Sequence, residues 1–205
     1  MSIGFWLNNL KEVFMKDIFS VWSKTRQIVI IAITAAIYAS TLIPFKAIQI
    51  IPGFVELRPA SVFPILFGIL FGPAAAWGSA IGNVIGDAFG TLSLASIFGF
   101  FGNFFFSYTA FLTWNAFVKK EDVVMNFRQV SVFTLASLLA SIICAFIIAA
   151  GLYMLKILQL NVVITVFIVI IVNNTLMGSV LGTILMKLLY KRLKNTGLTY
   201  KNEND

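Results

Sequence analysis

The stretch Gly78-Ser79-Ala80-Ile81-Gly82-Asn83-Val84-Ile85-Gly86-Asp87-Ala88-Phe89-Gly90 decides the class of fold. Glycines four apart make a flat helix edge on which another backbone can pack, and Ser79, Asn83 and Asp87 form a polar column one position round. Asp87 is the single charge in the sixty residues between Arg58 and Lys119. A carboxylate in so apolar a region is expensive to keep, so it is expected to face protein or water and is a functional candidate.

Composition agrees with a membrane setting. The chain of 205 residues is 60% hydrophobic and 11% charged, with a mean hydropathy of +0.95. Its apolar runs are long enough to cross a hydrocarbon core of ~30 Å. Segmented at charges, prolines and glycines, it gives six expected spans, roughly 26–45, 59–72, 73–90, 94–118, 130–155 and 161–190. The predicted fold is therefore all-α, a polytopic six-transmembrane-helix bundle over residues 26–190. The second and third spans meet at Phe71-Gly72-Pro73 without a polar loop and are expected to form a tight helical hairpin. Residues 1–25 are read as an N-terminal amphipathic segment, in which Phe5, Trp6, Leu10 and Phe14 alternate with Lys11, Glu12 and Lys16. The polar start and the lack of a small-residue cleavage pattern argue against a removable signal peptide. Residues 191–205 are read as a basic tail.

Cation placement predicts the orientation. With the N-terminus inside, twelve Lys and Arg fall on inner segments and only Lys46, Arg58 and Lys156 on outer ones. Both termini are then expected in the cytoplasm of a prokaryotic cell, and the net charge of +7 follows from topology and an anionic inner leaflet. Nucleic-acid binding is not needed to explain it. The absence of histidine, the single Cys144 and the lack of paired carboxylates within a span argue against a metal site and against catalysis. No Gly-x₄-Gly-Lys-Ser/Thr loop occurs, so no nucleotide cofactor is assigned to this chain.

Polar groups gather in the expected outer half. Arg58 opens the second span and Asp87 lies near the end of the third, so an Arg58–Asp87 pair is expected, either as a structural staple or as part of a solute cavity. Asn103 stands in a column with Ala95, Gly99 and Ser107. Asn173 and Asn174 interrupt the last span just before Gly178 and Gly182. With Glu56 and Asn83 these form the expected solute-binding set, walled by some of the 21 phenylalanines, an arrangement suited to a flat, water-soluble heterocycle. Buried amides also glue helices together, and that reading stands beside the first. Ala32 and Ala36, overlapping with Ala35 and Ala39, make a small-residue seam in the first span.

Together these features resemble the substrate-binding S component of energy-coupling factor (ECF) transporters, which capture vitamins in prokaryotes. The resemblance covers residues 20–192 and rests on the span count, the Ala32/Ala36 seam, Glu56-Leu57-Arg58-Pro59-Ala60-Ser61-Val62-Phe63-Pro64, Leu70-Phe71-Gly72-Pro73 and Gly82-Asn83-Val84-Ile85-Gly86-Asp87. It implies that a small organic solute of the vitamin class is bound at the outer side; riboflavin, cobalamin, a queuosine precursor and other vitamins all stay open, and the sequence does not choose among them. It further implies delivery inward with a membrane-embedded coupling protein, packed on Ala32 and Ala36, and two cytoplasmic ATPases that use the ATP. The competing class is a self-sufficient proton-coupled secondary transporter or channel, for which Asp87 in a glycine-rich helix would be the proton carrier.

Overall fold

The computed structural model describes residues 18–46, 48–51, 55–118 and 122–200. Among these, the chain forms helices α1 Thr25–Phe45, α2 Val62–Phe71, α3 Pro73–Ala88, α4 Ala95–Val118, α5 Phe127–Met154 and α6 Leu160–Asn195. Strands β1 Gln49–Ile51 and β2 Val55–Glu56 pair antiparallel between α1 and α2, and a 3-10 turn, Pro59–Ser61, leads into α2. The expectation of an all-α membrane protein is met. Four helices, α1, α4, α5 and α6, are long and apolar enough to cross a membrane. By contrast α2 and α3 have 10 and 16 residues, about 15 and 24 Å of helix.

The shortness of α2 is compensated by its position. Every residue in it except Phe63 is buried, because α4 and α6 flank it and α1 and α3 close the remaining sides. Such a helix meets protein rather than lipid along its length. Its turn into α3 is made by Gly72, whose φ of +63° only glycine adopts cheaply. A Cβ there would also lie 2.8 Å from the Tyr200 ring.

The glycine edge of α3 docks on α1. A Cβ built on Gly78 would lie 2.7 Å from the Ile31 carbonyl oxygen, one on Gly82 2.8 Å from that of Ala35, and one on Gly86 2.6 Å from Leu42 Cδ2. The two backbones therefore approach to a distance that no larger residue allows. Ala35 and Ala39 are buried at this contact, whereas Ala32 and Ala36 face outward with Val29 and Ile33. The two overlapping alanine pairs thus serve opposite faces of one helix.

Of the N-terminal amphipathic segment, residues 1–17 lie outside the described set. Ile18–Ser20 is helical, and the Trp77 indole N–H donates to the Ile18 carbonyl at 2.9 Å, with Phe19 and Trp22 against the same ring. At the other terminus α6 runs through Lys191, Arg192 and Lys194 to Asn195, so the helix does not stop at residue 190, where the apolar run does. Residues 201–205 lie outside the described set.

Candidate functional site

The end of the bundle carrying the β-hairpin holds two polar groups. The first is built on α3. Because its glycine edge is turned to α1, the column one residue round points into the groove between α1 and α4. Asp87, 7% exposed, sits there in the last turn. Lys46, just past the end of α1, places its Nζ 2.9 Å from Asp87 Oδ1 and donates to Thr91 Oγ1 at 2.6 Å. The Thr91 hydroxyl donates to the same carboxylate oxygen at 3.2 Å, and Asn83 Nδ2 donates to the other at 3.1 Å.

The expected Arg58–Asp87 pair is therefore corrected: the counter-charge is Lys46. Arg58 is half-buried at the start of the 3-10 turn into α2. The hairpin does set the two residues at the same end, but docking on α1 rotates the Asp87 column away from α2.

Asn103 joins this first group. The Tyr38 hydroxyl donates to its Oδ1 at 2.8 Å, and its Nδ2 donates to the Gly99 carbonyl, also at 2.8 Å. Gly99 is small because it must be: a Cβ there would lie 2.8 Å from Asn83 Nδ2 and 3.6 Å from Asp87 Oδ2. Both ends of the Asn103 amide and both oxygens of Asp87 are thus engaged within the protein. Such a network ties α1, α3 and α4 together.

The second group lies between α2 and α6. Asn173 and Asn174 are both buried on α6, and the Ser61 hydroxyl donates to Asn174 Oδ1 at 2.7 Å. Ser61 is in turn linked to Arg58, whose carbonyl accepts its backbone N–H at 3.0 Å. Over this region the hairpin seats Val55, 3% exposed, in an apolar cluster with Ala145, Leu152, Val166 and Ile170. Glu56 ends β2, and its side chain lies outside the described set. Ala60 packs with Tyr38 and Leu42 between the two groups.

The expected binding set is thus divided, with Asn83, Asp87 and Asn103 in one group and Arg58, Asn173 and Asn174 in the other. Of the phenylalanines, Phe67, Phe71, Phe106 and Phe133 sit in the core with Trp114, while Phe101, Phe117, Phe127 and Phe146 are exposed on the surface of the bundle. Sequence reasoning missed Lys46, Tyr38, Ser61 and Thr91 as partners. For Lys46 the signal existed: it is the first charge after the apolar run of α1, and a lone buried carboxylate needs a cation.

The model of the QueT transporter family matches residues 28–191, a stretch that contains both polar groups. The chain belongs to the QueT transporter family. The resemblance to the S component of ECF transporters is thereby established, the QueT family being one of S components for a queuosine precursor. Comparison with curated proteins and with solved structures gives no match.

Proposed function

We propose that this QueT family member captures a queuosine precursor at the hairpin end of the bundle and delivers it inward as the S component of an ECF importer. A membrane-embedded coupling protein and two cytoplasmic ATPases complete the machine. The observation that carries the site is the set of buried Ser61, Asn173 and Asn174 with half-buried Arg58, lying under the Val55 hairpin. A queuosine precursor is a 7-deazaguanine base, flat and edged with a ring carbonyl and N–H groups. Such a base suits a site of buried amides beneath an apolar cover.

Membrane placement follows the same reading. The enclosed α2 and the glycine-docked α3 complete six crossings, since neither has to match lipid thickness alone. The excess of cations at the Gly72 end, with Lys187, Lys191, Arg192 and Lys194 in α6, supports an orientation with that end and both termini in the cytoplasm of a prokaryotic cell. The hairpin end then faces outward.

The purified chain in proteoliposomes should bind 7-deazaguanine without concentrating it. Adding the coupling protein, the ATPases and ATP should drive accumulation. Accumulation by the chain alone under a proton gradient would overturn this assignment in favour of the proton-coupled carrier.

A further inference from the structure

Asn174 is 2% exposed on the face of α6 turned to α2. A carboxamide offers an acceptor oxygen and two N–H donors, and burying either end without a partner is costly. The oxygen is spent on Ser61, at 2.7 Å. The nitrogen has no hydrogen-bond partner among the described residues, yet it is not one of the buried polar atoms sealed from water-sized contact. Asn83 provides the contrast. At 1% exposure its nitrogen is spent on Asp87, and its oxygen is both sealed and unpartnered. An amide nitrogen that is buried and lacks a partner among the described residues is a donor available to a bound solute.

Ser61 holds the oxygen end of the amide. An amide can exchange its two ends by rotating about its last bond, whereas the Ser61 backbone is fixed. Ser61 is 1% exposed, closes the 3-10 turn through its N–H to Arg58, and runs straight into the enclosed α2. With Oδ1 bound to this fixed donor, Nδ2 is the end left pointing away.

We propose that Asn174 Nδ2 donates a hydrogen bond to an acceptor on the solute and that Ser61 is the positioning residue that orients it. The inference rests on the functional reading above and gives it a direction: the site reads the carbonyl edge of the base, not an N–H edge. Removing Ser61 frees the amide to present either end, so selectivity for the carbonyl falls before affinity disappears.

The test compares two probes, 7-deazaguanine and its 6-thio analogue, which keeps the ring N–H but carries a weak sulfur acceptor in place of the carbonyl oxygen, each bound to the full-length chain and measured by titration calorimetry. One neutral hydrogen bond gives the wild type a preference of roughly tenfold for the carbonyl base. Ser61→Ala should narrow that preference to about threefold or less, whereas Ser61→Thr, which keeps the hydroxyl, should retain it. Asn174→Asp, offering only acceptor oxygens, should abolish or reverse it. If Ser61→Ala does not fold, Ser61→Cys, of similar volume with a weak donor, gives the same reading. Folded Ser61→Ala and Asn174→Asp proteins with the wild-type preference would reduce the pair to helix packing and overturn the proposal. A wild type that binds 7-deazaguanine but shows no preference for the carbonyl overturns it as well. A wild type that binds neither probe overturns the solute assignment, and this inference with it.

Discussion

Lys46 is the counter-charge of Asp87: the ammonium nitrogen stands 2.9 Å from Oδ1, with the two side chains 7% and 10% exposed. The contact ties the end of α1 to the end of α3, and through Thr91 to the connection that follows. The cluster thus ties together three elements at the hairpin end.

Breaking such a pair from one side strands a charge, at a cost of about 3–5 kcal/mol, whereas removing both charges can be nearly neutral. Asp87→Asn and Lys46→Met should each lower the thermal midpoint sharply in detergent, and the double variant should recover most of the loss. Arg58→Gln combined with Asp87→Asn should recover none of it. Recovery with Arg58 rather than Lys46 would show that the pairing is wrong.

The glycines of the two seams should not be equally sensitive. At Gly82 an added Cβ meets the backbone oxygen of Ala35, which cannot give way unless the helices separate; at Gly99 it meets the side-chain nitrogen of Asn83. Overpacking of this kind costs typically ~1–3 kcal/mol. Gly82→Ala should sit at or above the top of that range and Gly99→Ala nearer the bottom, as read by unfolding midpoints of the purified variants.

Tyr38 offers a cleaner measure of the network. Tyr38→Phe keeps the ring in its buried place and removes the hydroxyl that donates to Asn103 Oδ1. A buried acceptor left unpaired costs about 1–3 kcal/mol. The variant should be less stable by that amount while its solute affinity stays within about threefold. A large loss of affinity at unchanged stability would move Asn103 into the binding site.

What the sequence reveals here depends on whether a feature is local. The glycine edge of α3 was legible because glycines every fourth residue have no use other than close packing, but its partner is a choice among neighbours that no local pattern encodes. The Arg58 expectation failed on that step, and on nothing else. Helix ends show the same limit: α5 starts at Phe127 rather than 130 because Asn126 Oδ1 accepts the Gln129 N–H at 2.9 Å. α6 continues past 190 because lysine and arginine end an apolar run without ending a helix. The short β-hairpin was invisible as strands, since its two arms have three and two residues. Of the second polar group, Asn173 and Asn174 stood out in an apolar run, whereas Ser61 looked like any serine near a helix start.

The two alanine pairs of α1 allow the coupling surface to be tested apart from the fold. Ala35 and Ala39 are buried, with the Ala35 carbonyl oxygen 2.8 Å from a Cβ built on Gly82, while Ala32 and Ala36 lie on the outward face between Val29, Ile33 and Ser40. A tryptophan at position 35 has no room, so Ala35→Trp should fail to give folded protein. A tryptophan at 32 or 36 projects outward and should leave the isolated chain folded and binding 7-deazaguanine as the wild type does. If the coupling protein packs on this face, as the S-component architecture implies, the bulky ring holds the partner backbone off. Uptake in proteoliposomes with the coupling protein, ATPases and ATP should then fall by at least about tenfold, a loss of ~1.4 kcal/mol or more in the coupling contact. Wild-type uptake by a folded Ala36→Trp protein would place the partner on another face of the bundle.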